Sequence, residues 1–283
     1  MKLTMLGTGM AMVTACYNTC FVLQEREESM LVDGGGGNGV LVQLAKAGID
    51  WKSIRHIFIT HKHIDHIMGI LWVIRKIGQG INRGDYDGCV QIYGHDEVIL
   101  ILQNMADALL QDKIKKYIGS RIIFQVVKDA ESRQILGHTV TFFDILSTKD
   151  KQYGFTIEYT KGKRLTCCGD EPYNNQNSQY VTGSDWLMLE AFCMCGEAEL
   201  FQPYEKHHST VKEACEQAEA LHIPNLILYH TEDTHMGQRK RLYRAEGRQY
   251  YHGNLCVPDD LEHYTLDGEE HRDDQSRISG EDR

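Results

Sequence analysis

His61-Lys62-His63-Ile64-Asp65-His66 puts three imidazoles and a carboxylate into six residues, and the flanking sequence says how they are held. Upstream, Ser53 to Thr60 contains Ile54, Ile57, Phe58 and Ile59, the short apolar run of a buried strand, so the histidines fall on the loop at its carboxyl end. Downstream, Ile67 to Ile77 has helical spacing. Histidines two apart on an extended segment turn both rings to one side, so His61 and His63 can reach one ion at about 2.0 to 2.1 Å. Asp65 and His66, at the turn into the helix, present a second set of ligands to a neighbouring ion. Two ions about 3.5 to 4 Å apart can share a water, activate it as hydroxide and clamp a phosphoryl or carbonyl oxygen. The competing reading is a polar surface loop that happens to be rich in histidine, and the clustered spacing argues against it.

Working outward, Lys2 to Leu6, Cys20 to Gln24 and Ser29 to Val32 read as a meander of three strands, and Val40 to Ala47 as an amphipathic helix entered through Asp33-Gly34-Gly35-Gly36-Gly37. Val90 to Tyr93 is expected as a strand and Glu97 to Leu110 as a second amphipathic helix. Arg121 to Val127, Thr139 to Leu146, Phe155 to Tyr159, Arg164 to Cys168 and Trp186 to Ala191 look like a further set of strands. His208 to Leu221 is helical by pattern, and Asn225 to Tyr229 is a short buried strand ending at His230. The order of elements hints at two similar halves of an α/β protein. No linker rich in Pro, Gly or Ser splits the chain, so one domain over residues 1–265 is expected, with a charged, disordered tail over 266–283.

His61-x-His63-x-Asp65-His66 resembles the signature of the metallo-β-lactamase superfamily. Leu6-Gly7-Thr8-Gly9 and Leu31-Val32-Asp33-Gly34-Gly35 resemble the opening of ribonuclease Z, the tRNA 3′-processing endonuclease of that superfamily. Cys168-Gly169-Asp170 is similar to the bridging-aspartate motif, Leu228-Tyr229-His230 to the last histidine ligand, and His208-Ser209-Thr210 to the histidine motif of the ribonuclease Z and phosphodiesterase branch. The resemblance implies a four-layer αββα sandwich of two mixed sheets, class α/β (α+β), with the site at one edge between the sheets. It implies one metal site of His61 and His63, another of Asp65, His66 and His230, and Asp170 bridging both. Asp65 and His208 are the expected catalytic residues, His208 orienting the substrate or protonating the leaving group. The cofactor is one or two divalent ions, with zinc expected and manganese or iron compatible with these ligands. Read from residues alone, Asp170 and His230 each end a short apolar strand, where a sheet exposes its carboxyl ends to ligands, yet a strand-end Asp or His is often only a turn residue.

Two departures matter. The family pattern calls for another histidine between the first motif and the bridging aspartate, and the strand ending Leu146-Ser147-Thr148 has none; His138 lies at its opposite end and His95 comes too early. Water or Ser147 would then complete the first site, and a single-ion enzyme is an open alternative. Secondly, the family's long glycine-rich tRNA-gripping arm has no room between Ser147 and Asp170. The formal net charge is −10, which offers no global attraction to nucleic acid, so a small phosphodiester or nucleic-acid end is expected rather than large RNA. Lys149, Lys151, Lys161, Lys163 and Arg164 form a basic cluster close to the site in sequence, although such a run is more often a solvated face. Cys167-Cys168 and Cys193-Met194-Cys195 lack partners at zinc-site spacing and read as buried thiols. With no export signal or apolar span in view, a cytoplasmic location is expected; a homodimer is implied by the resemblance alone. Cleavage of another ester, such as a lactone or sulfate ester, and a catalytically impaired metal-binding scaffold are the rival functions.

Overall fold

The computed structural model describes residues 1–160 and 162–267. Its first half opens with β1 (Lys2–Gly7), β2 (Cys20–Glu25) and β3 (Glu28–Val32), the expected antiparallel meander. The chain then alternates: α1 (Gly39–Lys46), β4 (Ile54–Phe58), α2 (Ile64–Arg83), β5 (Val90–Gly94), α3 (Asp96–Leu109), the short α4 (Asp112–Lys115) and β6 (Ile122–Val126). From β3 to β6 the pairing is parallel, as helical crossovers require.

The second half mirrors that plan. β7 (Ser132–Ile135), β8 (His138–Asp144), β9 (Tyr153–Glu158) and β10 (Arg164–Cys167) are antiparallel neighbours. Next come α5 (Ser178–Val181), β11 (Trp186–Glu190), α6 (Ala198–Phe201), α7 (Val211–Ala220), β12 (Asn225–Tyr229), α8 (Arg239–Gly247) and β13 (Asn254–Cys256), with β10 to β13 parallel. β14 (His263–Thr265) crosses back to pair with β1. The result is two seven-stranded mixed sheets, ordered β14-β1-β2-β3-β4-β5-β6 and β13-β12-β11-β10-β9-β8-β7.

Three apolar cores hold four layers together. Phe21, Phe58, Phe142 and Phe155 meet between the sheets, Phe58 lying 4.9 Å from Phe142 ring to ring. The other face of the first sheet packs Ile57 and Ile92 under Ile70 and Ile74 of α2, and that of the second packs Leu187, Leu189 and Leu228 under α7 and α8. Strands covered on both faces have no reason to alternate polar and apolar residues, which is why Leu187-Met188-Leu189 and Leu226-Ile227-Leu228 run unbroken.

The fold corrects some expectations. Arg121 to Val127 does not join the later strands: β6 is the edge of the first sheet, delivered beside β5 by the α3 crossover. The helix expected from His208 starts only at Val211, because Thr210 is extended and forms a capping box with Glu213. Seven of these elements were not anticipated: the one-turn helices α4, α5 and α6, and β7, α8, β13 and β14. Ser132-Arg133-Gln134 of β7 is exposed on an edge, and α8 (Arg-Lys-Arg-Leu-Tyr-Arg-Ala-Glu-Gly) has almost no apolar stripe to signal it. Within the tail expected from residue 266, Leu266 is buried and donates its N–H to Met1; the remainder, 268–283, lies outside the described residues. Among the described residues no helix is long and apolar enough to cross a membrane.

Candidate metal centre

β4, β10 and β12 all end at the same edge of the molecule, and each delivers part of one cluster. After β4 the chain stays extended through His63, the N-cap of α2, so His61 and His63 precede the helix while Asp65 and His66 occupy its first turn. After β10, Gly169 turns through a left-handed conformation at φ 75° and places Asp170. His230 follows β12 and is itself left-handed at φ 58°, a conformation uncommon for a residue with a Cβ and frequent where a site fixes the backbone.

Side chains converge accordingly. Asp170 Oδ2 lies 3.5 Å from His61 Nε2, 3.3 Å from His66 Nε2 and 3.6 Å from His230 Nε2, and His66 Nε2 lies 3.3 Å from Asp65 Oδ2. His61 Nε2 and His63 Nδ1 are 2.8 Å apart. Two triads result, His61–His63–Asp170 and Asp65–His66–His230, each with its ligand atoms within 4.8 Å of one another. His66 Nε2 and Asp170 Oδ1 are buried with no hydrogen-bond partner, a costly arrangement for polar atoms unless a cation is their partner. The donor set and these orphaned atoms fit a pair of divalent ions.

Behind the ligands stands a set of residues that the sequence reading did not single out. The outward nitrogen of every ligand histidine meets an oxygen: His61 Nδ1 meets Thr60 Oγ1 at 2.9 Å, His63 Nε2 meets Asp150 Oδ2 at 2.9 Å, His66 Nδ1 meets Asp33 Oδ2 at 2.8 Å and His230 Nδ1 meets Thr19 Oγ1 at 3.1 Å. Such contacts fix ring orientation and tautomer, leaving the inward nitrogen to a metal. Only Asp33 had a local signal, since it stands just before the glycine run.

Burial dominates the protonation of the cluster. It pushes His61 well below the usual imidazole range and His230 down to about 3. His66 goes the other way: burial lowers it, but Asp65 and Asp33 outweigh burial and raise it well above normal. Burial also favours the neutral form of Asp170, and the surrounding histidines more than reverse that, holding it well below the carboxylate range.

A pocket of about 180 Å³ opens over the cluster, lined by His63, Asp65, Asp170 and His230 and also by His208, Lys149, Glu171 and Lys206, the His208 ring lying 5.2 Å from that of His230. His208 stacks on Phe192 at 4.9 Å and points Nδ1 at buried Glu190 Oε2, 3.5 Å away, which leaves Nε2 for the pocket. Burial opposes its protonation, and the Glu190 carboxylate outweighs that and raises it above the ordinary histidine value.

Other residues fall outside the cluster. His95 caps α3 and His138 faces Glu25 from the start of β8. Ser147, an expected substitute ligand, gives its hydroxyl to Glu171 Oε1 at 2.6 Å, and neighbouring Thr148 Oγ1 meets His207 Nδ1 at 2.6 Å. The first triad therefore has three protein ligands among the described residues. The basic cluster is broken up by β9: Lys149 reaches the pocket, Lys151 pairs with Asp96, and Arg164 pairs with Glu158 beyond the strand's other end. No disulfide joins any of the nine cysteines, and Cys167, Cys168 and Cys193 are buried. Between Ser147 and Asp170 the chain is spent on β9, β10 and their connection.

Comparisons with known proteins agree with this geometry. A family model described as "Anti-Pycsar protein Apyc1" matches residues 1–248. A curated ribonuclease Z of Nitrosopumilus maritimus is 23% identical over 87% of this chain and 94% of its own. A ribonuclease Z of Rippkaea orientalis is 28% identical over 70% of this chain, which spans 64% of that enzyme's length. Among solved structures, the metallo-β-lactamase fold protein YhfI of Bacillus subtilis superposes with a TM-score of 0.76 at 18% identity, covering 93% of this chain and 98% of its own. The short form of human tRNase Z does so with a TM-score of 0.70 at 20% identity, covering 94% and 99%. With two mixed sheets inside two helical layers and a histidine and aspartate cluster at their shared edge, the chain belongs to the Anti-Pycsar protein Apyc1 family, on the metallo-β-lactamase fold.

Proposed function

We propose that this protein is a metal-dependent phosphodiesterase acting on a small phosphodiester or a nucleic-acid end. The observation that carries the reading is the pair of triads joined through Asp170 Oδ2. When bound, two divalent ions there supply an acidified water nucleophile and neutralise charge on a phosphoryl oxygen, and zinc, manganese or iron suits the ligands.

The chain's own groups account for the rest. Asp65 and Asp170 bring two negative charges to the cluster, and the buried Asp33 behind His66 fixes its ring. Lys149 and Lys206 stand across the pocket, where they attract and orient an anionic diester. His208, held by Glu190 and Phe192, faces the same space and hands a proton to the leaving oxygen. Relatives named ribonuclease Z, and a structural neighbour described as a diphosphatase of the PhnP family, work on phosphate chemistry by name. The short connections between β8 and β10 and the acidic chain favour a small substrate over folded RNA.

Elemental analysis of the purified protein, with hydrolysis of bis-p-nitrophenyl phosphate by wild type and His66→Ala, tests this. Two ions per chain and activity lost in the variant are expected. About one ion with activity retained would mean that the second triad works alone. Turnover of lactone or sulfate ester substrates in place of the phosphodiester would overturn the choice of bond, and a protein that takes up no metal and hydrolyses nothing would be a scaffold.

A further inference from the structure

Gln152 stands where the chain turns into β9, and it is 1% exposed yet lines the metal pocket with His63, Lys149 and Asp170. Its carbonyl closes the connection between β8 and β9 by accepting the Ile145 N–H at 3.1 Å. The next residue, Tyr153, donates its N–H to the carbonyl of Thr60 at 3.0 Å, one position before His61. The connection that offers no histidine to the first triad therefore brings a glutamine beside it.

The two ends of its amide are told apart by a neighbour. Asp170 donates its backbone N–H to Gln152 Oε1 at 3.4 Å, so that end is the carbonyl and the other is the amino group. A Cβ on Gly169 would fall 3.0 Å from the same oxygen, so glycine there lets the amide lie close. Nε2 has no hydrogen-bond partner among the described residues, and unlike His66 Nε2 and Asp170 Oδ1 it is not sealed off. Its hydrogens are donors only, so their guest is an acceptor and not a cation or an apolar group. The carboxylates that share the pocket are engaged elsewhere: Asp65 and Asp170 belong to the triads, and Glu171 accepts from Ser147 and Thr148. Lys149 and Lys206 are exposed and free to sway, whereas Gln152 is held in place, and a fixed donor acts most strongly where negative charge develops.

We infer that Gln152 is a catalytic residue whose side-chain amino group donates to a non-bridging oxygen of the phosphoryl group on the first triad's side of the pocket. The identity of the phosphoryl group rests on the phosphodiesterase reading; a fixed, unspent donor facing an anion site does not.

Calorimetric titration of the full-length, metal-loaded protein with inorganic phosphate reads the donor without turnover. Gln152→Glu keeps an acceptor for the Asp170 N–H and loses the donor, whereas Gln152→Met keeps the volume and loses both. Phosphate affinity about tenfold lower in Gln152→Met, and lower still in Gln152→Glu, is expected. Metal affinity of Gln152→Met, by competition with a chromophoric chelator, should stay within about threefold of wild type, since the 3.4 Å bond to Asp170 is long. With bis-p-nitrophenyl phosphate, Gln152→Met should lower kcat about 100-fold and move KM by less than about tenfold. Wild-type phosphate affinity in Gln152→Glu, or metal and phosphate affinity falling in step in Gln152→Met, would reduce the glutamine to a support for Asp170 and overturn the proposal. So would a wild-type protein that binds no phosphate. Phosphate affinities in the expected order from a protein that hydrolyses no diester would sink the phosphodiesterase reading and leave the donor standing.

Discussion

Four histidines face the metal cluster, but the groups behind them are not alike. Thr60 and Thr19 are neutral hydroxyls, whereas Asp150 and Asp33 are carboxylates, and each triad has one of each kind. A carboxylate behind an imidazole makes it the more basic ligand, so with metal bound His63 would be the stronger histidine of the first triad and His66 of the second. Asp33 is buried and also accepts from the Thr60 backbone and hydroxyl, while the Asp150 side chain is 29% exposed and is shared with Lys62. Asp33→Asn should therefore weaken metal binding by about 10- to 100-fold, and Asp150→Asn by less than about tenfold because water can replace it. Competition with a chromophoric chelator measures both, and equal effects would show that burial does not grade them. Asparagine tolerates the left-handed backbone of Asp33 at φ 56°, so that substitution isolates the charge. At this scale the candidate ligands were legible because four of them sit in one hexapeptide. Their supports were not, since Thr19 meets His230 across 211 residues and Asp150 meets His63 across 87.

Between elements, the tightest constraint is where the glycine run after β3 crosses α2. A Cβ on Gly69 would fall 1.8 Å from Gly34 O, and one on Gly34 would fall 2.5 Å from the Ile70 backbone nitrogen. The bare backbones lock together by hydrogen bonds from Gly34 N to His66 O and from Gly69 N to Gly35 O, both 2.8 Å. Since α2 carries Asp65 and His66 in its first turn, this crossing sets how far the helix stands from Asp33. Gly69→Ala should cost on the order of 3 kcal/mol, read as a lower urea midpoint, and should release metal as well. A variant as stable as wild type would mean that the helix can shift without penalty. The glycines themselves were visible from sequence as a turn beside the site, but not the helix pressed against them, because close approach of distant backbones leaves no periodic trace. Elements with a covered apolar face were legible for the converse reason, their spacing being local; β7, which is largely exposed, and α8, whose buried residues Arg239, Tyr243 and Gly247 form no apolar stripe, were not.

Across the whole molecule, Arg239 on α8 is the largest side chain to be fully buried, and it ties the two sheets at the site edge. Nη1 donates to Thr8 Oγ1 at 3.0 Å, just after β1, and to Thr231 Oγ1 at 2.7 Å, just after β12. Nη2 donates to the Pro258 carbonyl at 2.6 Å and to Asp259 at 3.1 Å, on the approach to β14. Arg239→Met keeps much of the volume and strands these acceptors, so a loss on the order of 3 kcal/mol is expected in equilibrium denaturation. An unchanged midpoint would mean that water satisfies them. The paired sheets were anticipated through motif resemblance, whereas nothing in an arginine within a charged stretch announces that it is an internal clamp.

β14 reaches back to β1, pairing Lys2 with Thr265. On a ribosome, then, β1 must wait for β14 before its outer edge is covered. At about 5 to 20 residues per second that interval is tens of seconds, during which a row of unpaired amides is open to any extended chain nearby. The hexapeptide of ligands emerges early in the same interval, long before His230 exists to complete its set. A nascent chain of this design is sticky until β14 has been made, and it is equipped with only part of the candidate ligand set until His230 has been made.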